Sequence, residues 1–288
     1  MHDRDATSAA AEEYRRRSTQ NWETAAAGWE AERDRVASMG RPITEWLIAH
    51  LDLRPGQTVL EIATGPGDVG IAVAAALEGG RVIMSDRSHA MVAAAGRAVA
   101  AAGVRNAEVR DLDAESLDLG DASVDRVVCR FAYMLMPDRA AAFAETRRVL
   151  APGGRLAFAV WAAADRNAWA TTLWNVLESR TELPPAAPGG PGMFALGDPA
   201  TVAPLVETAG FSVRAVEHIT VEWSYPDYDA YWQAQSSLNG GLTRLLATLS
   251  EAERGDLYEA VRGAVEPFRD GAGYRLTGVA LGVAADAR

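Results

Sequence analysis

Lysine is absent from the 288-residue chain, so all 28 cationic side chains are Arg. This excludes chemistry that needs a side-chain amine: Schiff bases with pyridoxal, the phosphate-gripping Lys of a P-loop and the Tyr-x-x-x-Lys pair of short-chain dehydrogenases. Cysteine is nearly absent too. With Cys129 alone, no disulfide framework, Cys-rich zinc site or three-Cys iron–sulfur cluster can form within the chain. No apolar run approaches the roughly 18 residues of a membrane-spanning helix. The first 30 residues are charged throughout and lack the apolar core of a signal peptide. These absences point to a cytoplasmic protein with no membrane partner. Basic charge is in deficit, at 28 against 39 acidic residues for a net −11. No basic stripe exists to displace counterions from a phosphate backbone, so nucleic acid is not an expected partner.

What is present is enough apolar sequence, 49%, for a substantial core. From Arg54 to Trp161, short β-branched runs alternate with alanine-rich helical segments, the pattern of a parallel sheet covered by helices. The strands are expected at 58–63, 81–86, 107–112, 124–130 and 155–161, with helices in VGIAVAAALEGG and AMVAAAGRAVAAAG. Beyond Trp161 the reading is a helix over 162–182, a loop over 184–192, a capped helix over 198–210 and a strand over 211–223. An aromatic-rich helical stretch over about 224–268 and an apolar strand over 275–285 follow. This divides the chain into N-terminal lid helices (1–53), an α/β core (54–161) and a cap insertion (162–199). After these come a core continuation (200–223), a second helical cap (224–272) and a final core strand (273–288).

The segment VLEIATGPGDVG leads from a buried strand through a glycine turn into a helix, with Gly65, Gly67 and Gly70 at G-x-G-x-x-G spacing. Asp86 ends the next strand, where a carboxylate accepts hydrogen bonds from both hydroxyls of a ribose. An adenine nucleoside is the common denominator, and both NAD and S-adenosylmethionine contain one. Glu61, inside the first strand, suits an ammonium better than a pyrophosphate it would repel. Asp113, after the third strand, is placed to accept from an adenine amino group. Arg87, beside Asp86, is the residue that favours the nicotinamide rival, since it could meet a 2′-phosphate.

Residues 54–161 resemble a class I S-adenosylmethionine-dependent methyltransferase. The resemblance rests on E-x-A-x-G-x-G from Glu61, the strand-two acid Asp86, D-A-E-x-L from Asp113 and L-x-P-G-G-R-L from Leu150. NWETAAAGWE, CRFAYMLMPD and VWAAADRNAW are similar to bacterial small-molecule enzymes of the quinone-biosynthesis type. Ala63 stands where the family motif has its first Gly. The resemblance implies a Rossmann-like, seven-stranded, mostly parallel sheet with the last strand antiparallel, and S-adenosyl-L-methionine as cofactor. It places Gly65 and Gly67 at the methionine part with Glu61 in support and Asp86 at the ribose. Asp113 and the Ala114 backbone fall at the adenine, and Arg130 with Phe131 at the sulfonium end.

The acceptor side is aromatic. Tyr133 and Met134 follow strand four, Trp161 and Trp169 follow strand five, Met193 and Phe194 follow the Gly-Pro loop, and Trp223, Tyr225, Tyr228, Tyr231 and Trp232 lie after strand six. Several fall at carboxyl ends of parallel strands, where open α/β sheets bind ligands. Tyr14, Trp22 and Trp29 would enter from the N-terminal lid. The expected acceptor is a small, apolar, ring-containing metabolite, methylated on oxygen or nitrogen in natural-product biosynthesis, mainly by proximity and orientation in a closed pocket. Rival readings are C-methylation of a quinone precursor, an NAD(P)-dependent oxidoreductase and a non-catalytic cofactor-binding domain. No catalytic base is identified among His2, His50, His89 and His218, no metal cluster is expected, and the protein is read as a monomer or homodimer.

Overall fold

The computed structural model describes residues 2–180 and 189–288, with the side chains of residues 2–10 left out of the description. The expected loop at 184–192 lies outside the described residues as far as Pro188, as does the side chain of His2. Two helices precede the sheet: α1 (His2–Ala31) and α2 (Arg33–Leu51). In α2, Val36, Met39, Gly40, Ile43, Leu47 and Leu51 are buried, a stripe at three- and four-residue spacing that lies against the sheet.

The parallel part follows the sequence pattern. It comprises β1 (Thr58–Ile62), α3 (Asp68–Ala76), β2 (Arg81–Asp86), α4 (His89–Ala101), β3 (Ala107–Asp111), β4 (Val124–Arg130), α5 (Arg139–Val149) and β5 (Leu150–Trp161). Ser88 caps α4 and Asp138 caps α5, each accepting from a backbone N–H of the first turn. The Pro-Gly-Gly segment, read as a turn before a strand starting at Arg155, lies inside β5. Leu150 already pairs with Val124, and the register then jumps to Arg155 opposite Arg126. Gly153, at φ 72°, lets the extra residues bulge out without ending the strand.

The remaining elements are α6 (Ala168–Arg180), α7 (Pro199–Thr208), β6 (Phe211–Tyr225), α8 (Tyr228–Leu238), α9 (Gly240–Thr248), α10 (Glu251–Val265), β7 (Arg269–Asp270) and β8 (Gly273–Ala287). The segment expected to be helical from 162 begins instead with a 3-10 turn at Ala164–Arg166, and its α-helix starts only at Ala168. The strand order is β3-β2-β1-β4-β5-β8-β6, with β8 antiparallel to both neighbours and the two-residue β7 paired to its start. The expected sheet is therefore present, with one very short strand added.

β6 and β8 are longer than the sequence pattern indicated, and this shapes the site. β5 pairs with β8 only from Arg155↔Asp286 to Trp161↔Ala280, whereas β6 and β8 stay paired out to Tyr225↔Tyr274. Beyond the end of β5 they form a two-stranded arm. Its inner face carries Val221, Trp223 and Tyr225 opposite Gly278, Leu276 and Tyr274. A Cβ on Gly278 would come within 2.6 Å of Trp169, and one on Gly282 within 2.8 Å of Trp46. These glycines let two indoles lie directly on the strand backbone.

Candidate active site

β1 delivers the chain into the glycine turn at the carboxyl edge of the sheet. Ala63 (φ 54°), Gly65 (φ 54°) and Gly67 (φ 96°) all take left-handed backbone. Gly permits this conformation freely, while for Ala63 it costs roughly 1–2 kcal/mol. A side chain at Gly65 would meet nothing within 4 Å, so the backbone there faces open space. At Gly70 a Cβ would fall 2.3 Å from the Glu61 carboxylate, so this glycine seats α3 on β1 and β2.

Asp86 pins the turn from the tip of β2, accepting from the N–H of Gly65 and of Ser88, each at 2.9 Å. Burial pushes its carboxyl above the usual range, and the backbone N–H groups only partly offset this. Glu61 is 2% exposed and accepts from the Thr64 hydroxyl. Burial raises its carboxyl to about 8, although the Thr64 hydrogen bond and the Arg130 charge pull the other way. Across the turn, Arg130 sits 3.4 Å from Asp68 and donates to Thr44 at 3.1 Å. Arg33, at the start of α2, donates to the Pro66 carbonyl and lies 3.9 Å from Asp68. Gly40 gives Arg130 passage, since a Cβ there would be 2.5 Å from its guanidinium. Two buried carboxylates and two guanidiniums thus converge on one turn, a set matched to a zwitterion. The motif reading missed Arg33, Asp68 and Thr44, because nothing in the local pattern says that α2 lies over the turn.

Farther along the edge, Asp113 accepts from Glu115 N–H at 2.9 Å and lies 3.6 Å from Arg87. Arg87 also donates to the Arg15 carbonyl, so its guanidinium is engaged by α1 and by Asp113. α1 crosses here as a lid. Arg15 pairs with Glu115 at 2.6 Å, Glu23 accepts from the Ser88 hydroxyl at 2.8 Å, and Glu30 holds Arg97 at 2.7 Å. Beneath it is an open cavity of about 1,010 Å³ lined by Arg15, Thr19, Glu23, Arg87, Asp113 and Ser116 among others. Ala114 is packed against the core beside Asp113. Tyr14 is raised by burial, against the pull of Arg17, Arg139 and Arg87.

The aromatic residues divide into two groups. Phe131, left-handed at φ 67°, stacks on Trp161 at 4.0 Å, and Trp161 lies against Trp169 at 4.8 Å. Trp169 stacks on Trp223 at 5.0 Å, and Tyr225 and Tyr231 continue the row. The row starts beside the glycine turn and runs up the arm. Trp223, Tyr225 and Tyr231 belong to the aromatic surface expected after strand six, and the period-2 burial of β6 puts the first two on one face of it.

Tyr133 and Met134 lie elsewhere. Tyr133 is fully buried, bonded to Thr146 at 2.7 Å and stacked on Phe143, which places it in the core beneath α5. Met134 is 2% exposed, and its sulfur accepts from Trp161 N–H. Neither side chain forms a pocket wall: the 3-10 turn at Tyr133–Leu135 folds them inward. Met193 and Phe194 pack on the core margin, tied to it by Gly192 N–H donating to the Met134 carbonyl. Trp22 and Trp29 meet edge to face at 5.7 Å, and Trp29 donates to the Leu238 carbonyl. They join the lid to the cap helices.

The histidines are peripheral. His50 stacks on Trp46, His89 is exposed and paired with Asp111, and His218 points outward from β6. Among the described residues, no three His, Cys, Asp or Glu side chains cluster as a metal site, and no helix is long and apolar enough to cross a membrane.

Comparison with known proteins agrees with this geometry. Residues 59–154 match the family model described as "Methyltransferase domain". The ubiquinone/menaquinone biosynthesis C-methyltransferase of Acidiphilium cryptum is 41% identical over 109 residues, 38% of this chain and 43% of that one. The demethylmenaquinone methyltransferase of Thermus thermophilus is 34% identical over 128 residues, 43% of this chain and 56% of that one. The chain thus spans about half the length of these curated relatives. Among solved structures, the YcgJ protein of Bacillus subtilis superposes with a TM-score of 0.59 at 19% identity, covering 85% of this chain and 97% of that one. That likeness is one of fold.

Proposed function

From the membership of this chain in the class I S-adenosylmethionine-dependent methyltransferases, we propose that it methylates a small, apolar, ring-containing metabolite on oxygen or nitrogen. The observation that carries this reading is the aromatic row leading from Phe131, beside the glycine turn, to Trp223 on the arm. The cofactor is S-adenosyl-L-methionine, and the residues present fit it. Open space over Gly65 admits a ligand against the backbone, and Glu61, Asp68, Arg33 and Arg130 match an amino acid zwitterion. Asp86 faces the ribose region, and Asp113 with the Ala114 backbone faces the base.

When bound, the cofactor supplies an electrophilic methyl group on a sulfonium, which an acceptor lone pair takes while sulfur keeps the carbon–sulfur electron pair. The chain's own part is placement. Phe131 and Trp161 form a flat wall that aligns a planar acceptor, and the α1 lid with the α8–α9 cap excludes water. The reading assigns no proton-accepting side chain, so an acceptor hydroxyl or ammonium passes its proton to solvent before closure. Natural-product biosynthesis, with its many planar hydroxylated scaffolds, is the context this wall suits.

The test is incubation of the purified chain with methyl-labelled S-adenosylmethionine and a panel of phenols, hydroxyquinones and aromatic amines, followed by mass spectrometry. Label in a ring-containing product is the expected result. Formation of S-adenosylhomocysteine only with aliphatic acids or amines would overturn the ring assignment.

A further inference from the structure

The hydroxyls of the arm and cap tyrosines nearly all have partners. Tyr228 donates to the Tyr258 carbonyl at 2.6 Å, Tyr258 donates to Asp229, and the Tyr225 hydroxyl accepts from Gln235 at 3.4 Å. Tyr274 donates to Glu266. In the indole row, Trp169 donates to Asn167 at 3.1 Å. Among the aromatic donors two stand out: Nε1 of Trp223 and the hydroxyl of Tyr231 are sealed from solvent and have no partner among the described residues, a state they share with Asn21 Oδ1, Arg139 Nε and Arg244 Nη1. Trp223 is 3% exposed and Tyr231 is fully buried. They come from different elements, β6 and α8, and both rings contact Tyr225, at centroid distances of 6.5 and 5.1 Å. A buried donor without a partner destabilises the fold, and such groups are rare enough in native proteins that each calls for a reason.

We propose that Trp223 Nε1 and the Tyr231 hydroxyl are specificity determinants that donate hydrogen bonds to oxygens of the acceptor, which is therefore a ring compound with carbonyl oxygens on an otherwise apolar body. This rests on the methyltransferase reading above and deepens it. Phe131, Trp161 and Trp169 offer only ring faces to a planar body, so they accept any flat molecule. A site with unpaired donors discriminates more sharply, because a ligand without oxygens there leaves the donors unsatisfied in the complex. The geometry also explains the lid. The donors are closed off by the arm on one side and by α8 on the other, and α8 is tied to α1 through Trp29 and the Leu238 carbonyl.

The test uses the full chain saturated with S-adenosylhomocysteine, with 2-hydroxy-1,4-naphthoquinone and 2-naphthol as probes in titration calorimetry. Wild type, Tyr231→Phe, which keeps the ring and removes only the hydroxyl, and Trp223→Phe, which also trims the indole to a phenyl ring, are compared. Expected are a preference for the quinone of about tenfold or more in wild type, and loss of most of it in each variant, with S-adenosylhomocysteine affinity unmoved. The ligand-free Tm of Tyr231→Phe should stay level or rise, since no native bond is lost, whereas Trp223→Phe lowers it through lost packing volume alone. A quinone preference unchanged in both variants, or a fall in the ligand-free Tm of Tyr231→Phe showing that its hydroxyl is paired within the protein, would overturn the assignment while leaving the methyltransferase reading intact. Binding of neither probe by a protein that binds S-adenosylhomocysteine would overturn the ring-acceptor reading and this assignment together.

Discussion

The carboxyl edge of the sheet is built by two different kinds of chemistry. Over β1, β2 and β4 it is polar and bonded: Asp86 holds the turn by two backbone N–H groups, and Arg33, Asp68 and Arg130 interlock across it. Over β5, β8 and β6 it is apolar and stacked, and Trp161, Trp169 and Trp223 lie on one another with Gly278 making room. On the proposed reading, the first half would fix a ligand by charge and hydrogen-bond geometry, which suits a cofactor that never varies. The second would fix a ligand by shape, which leaves the acceptor to be defined by a few polar contacts. The two halves should therefore fail separately.

Trp169→Ala is the largest expected perturbation. Removing an indole packed between two others and against strand backbone should lower stability by about 3 kcal/mol. It should raise acceptor KM more than tenfold and leave cofactor Kd within about twofold, as read by thermal melts, kinetics and calorimetry. Equal damage to both ligands would mean the halves are one unit.

Asp86→Ala strikes the polar half. Loss of an acceptor for two backbone N–H groups and a ribose should weaken S-adenosylhomocysteine binding by about 1–3 kcal/mol, with the aromatic row undisturbed. Unchanged affinity in calorimetry would remove Asp86 from the site.

The carboxyl of Glu61 gives the comparison a pH signature. Burial raises it from 4.5 to about 8, so the folded state holds this proton more tightly than the unfolded chain does. Its contribution favours folding at low pH and is lost as pH rises from about 4.5 to about 8, after which it is level. Asp86 shifts in the same direction, so the variant Glu61→Gln isolates the effect. The Tm difference, variant minus wild type, should grow across that window and then flatten. Because an ammonium favours the ionised carboxylate, wild-type affinity for S-adenosylhomocysteine should also tighten toward pH 8. A pH-independent Tm difference would show that Glu61 stays ionised in the free protein.

The smallest effect belongs to the lid. Arg15→Ala removes the partly exposed pair with Glu115 and should change stability by less than about 1 kcal/mol. The expected signature is faster cofactor dissociation in stopped-flow traces, and an unchanged rate would free α1 of a gating role.

The polar half was largely legible in the sequence because its determinants are local. Glu61 and Asp86 lie at or near the carboxyl ends of β1 and β2, Gly65 and Gly67 in the turn after β1 and Asp113 just past β3, and strand order then brings them together. Arg33 and Thr44 were not legible, since their place depends on how α2 crosses the turn. The apolar half was legible in composition and not in arrangement. Tyr133 and Trp161 look alike as aromatics after strands, yet a 3-10 turn folds the first into the core and a stacking partner at Phe131 keeps the second at the edge. Trp223, Tyr225 and Tyr231 were legible as an aromatic surface after strand six, but their stacking as a row follows from β6 and β8 outrunning β5, a difference in strand length that no local motif announces.

The most direct measurement is titration calorimetry of the purified chain with S-adenosylmethionine, S-adenosylhomocysteine, NADH and NADPH. The polar half as described predicts micromolar binding of the two sulfur nucleosides and none of the nicotinamide nucleotides. Binding of NADPH alone, through Arg87 at a 2′-phosphate, would contradict the account at its base.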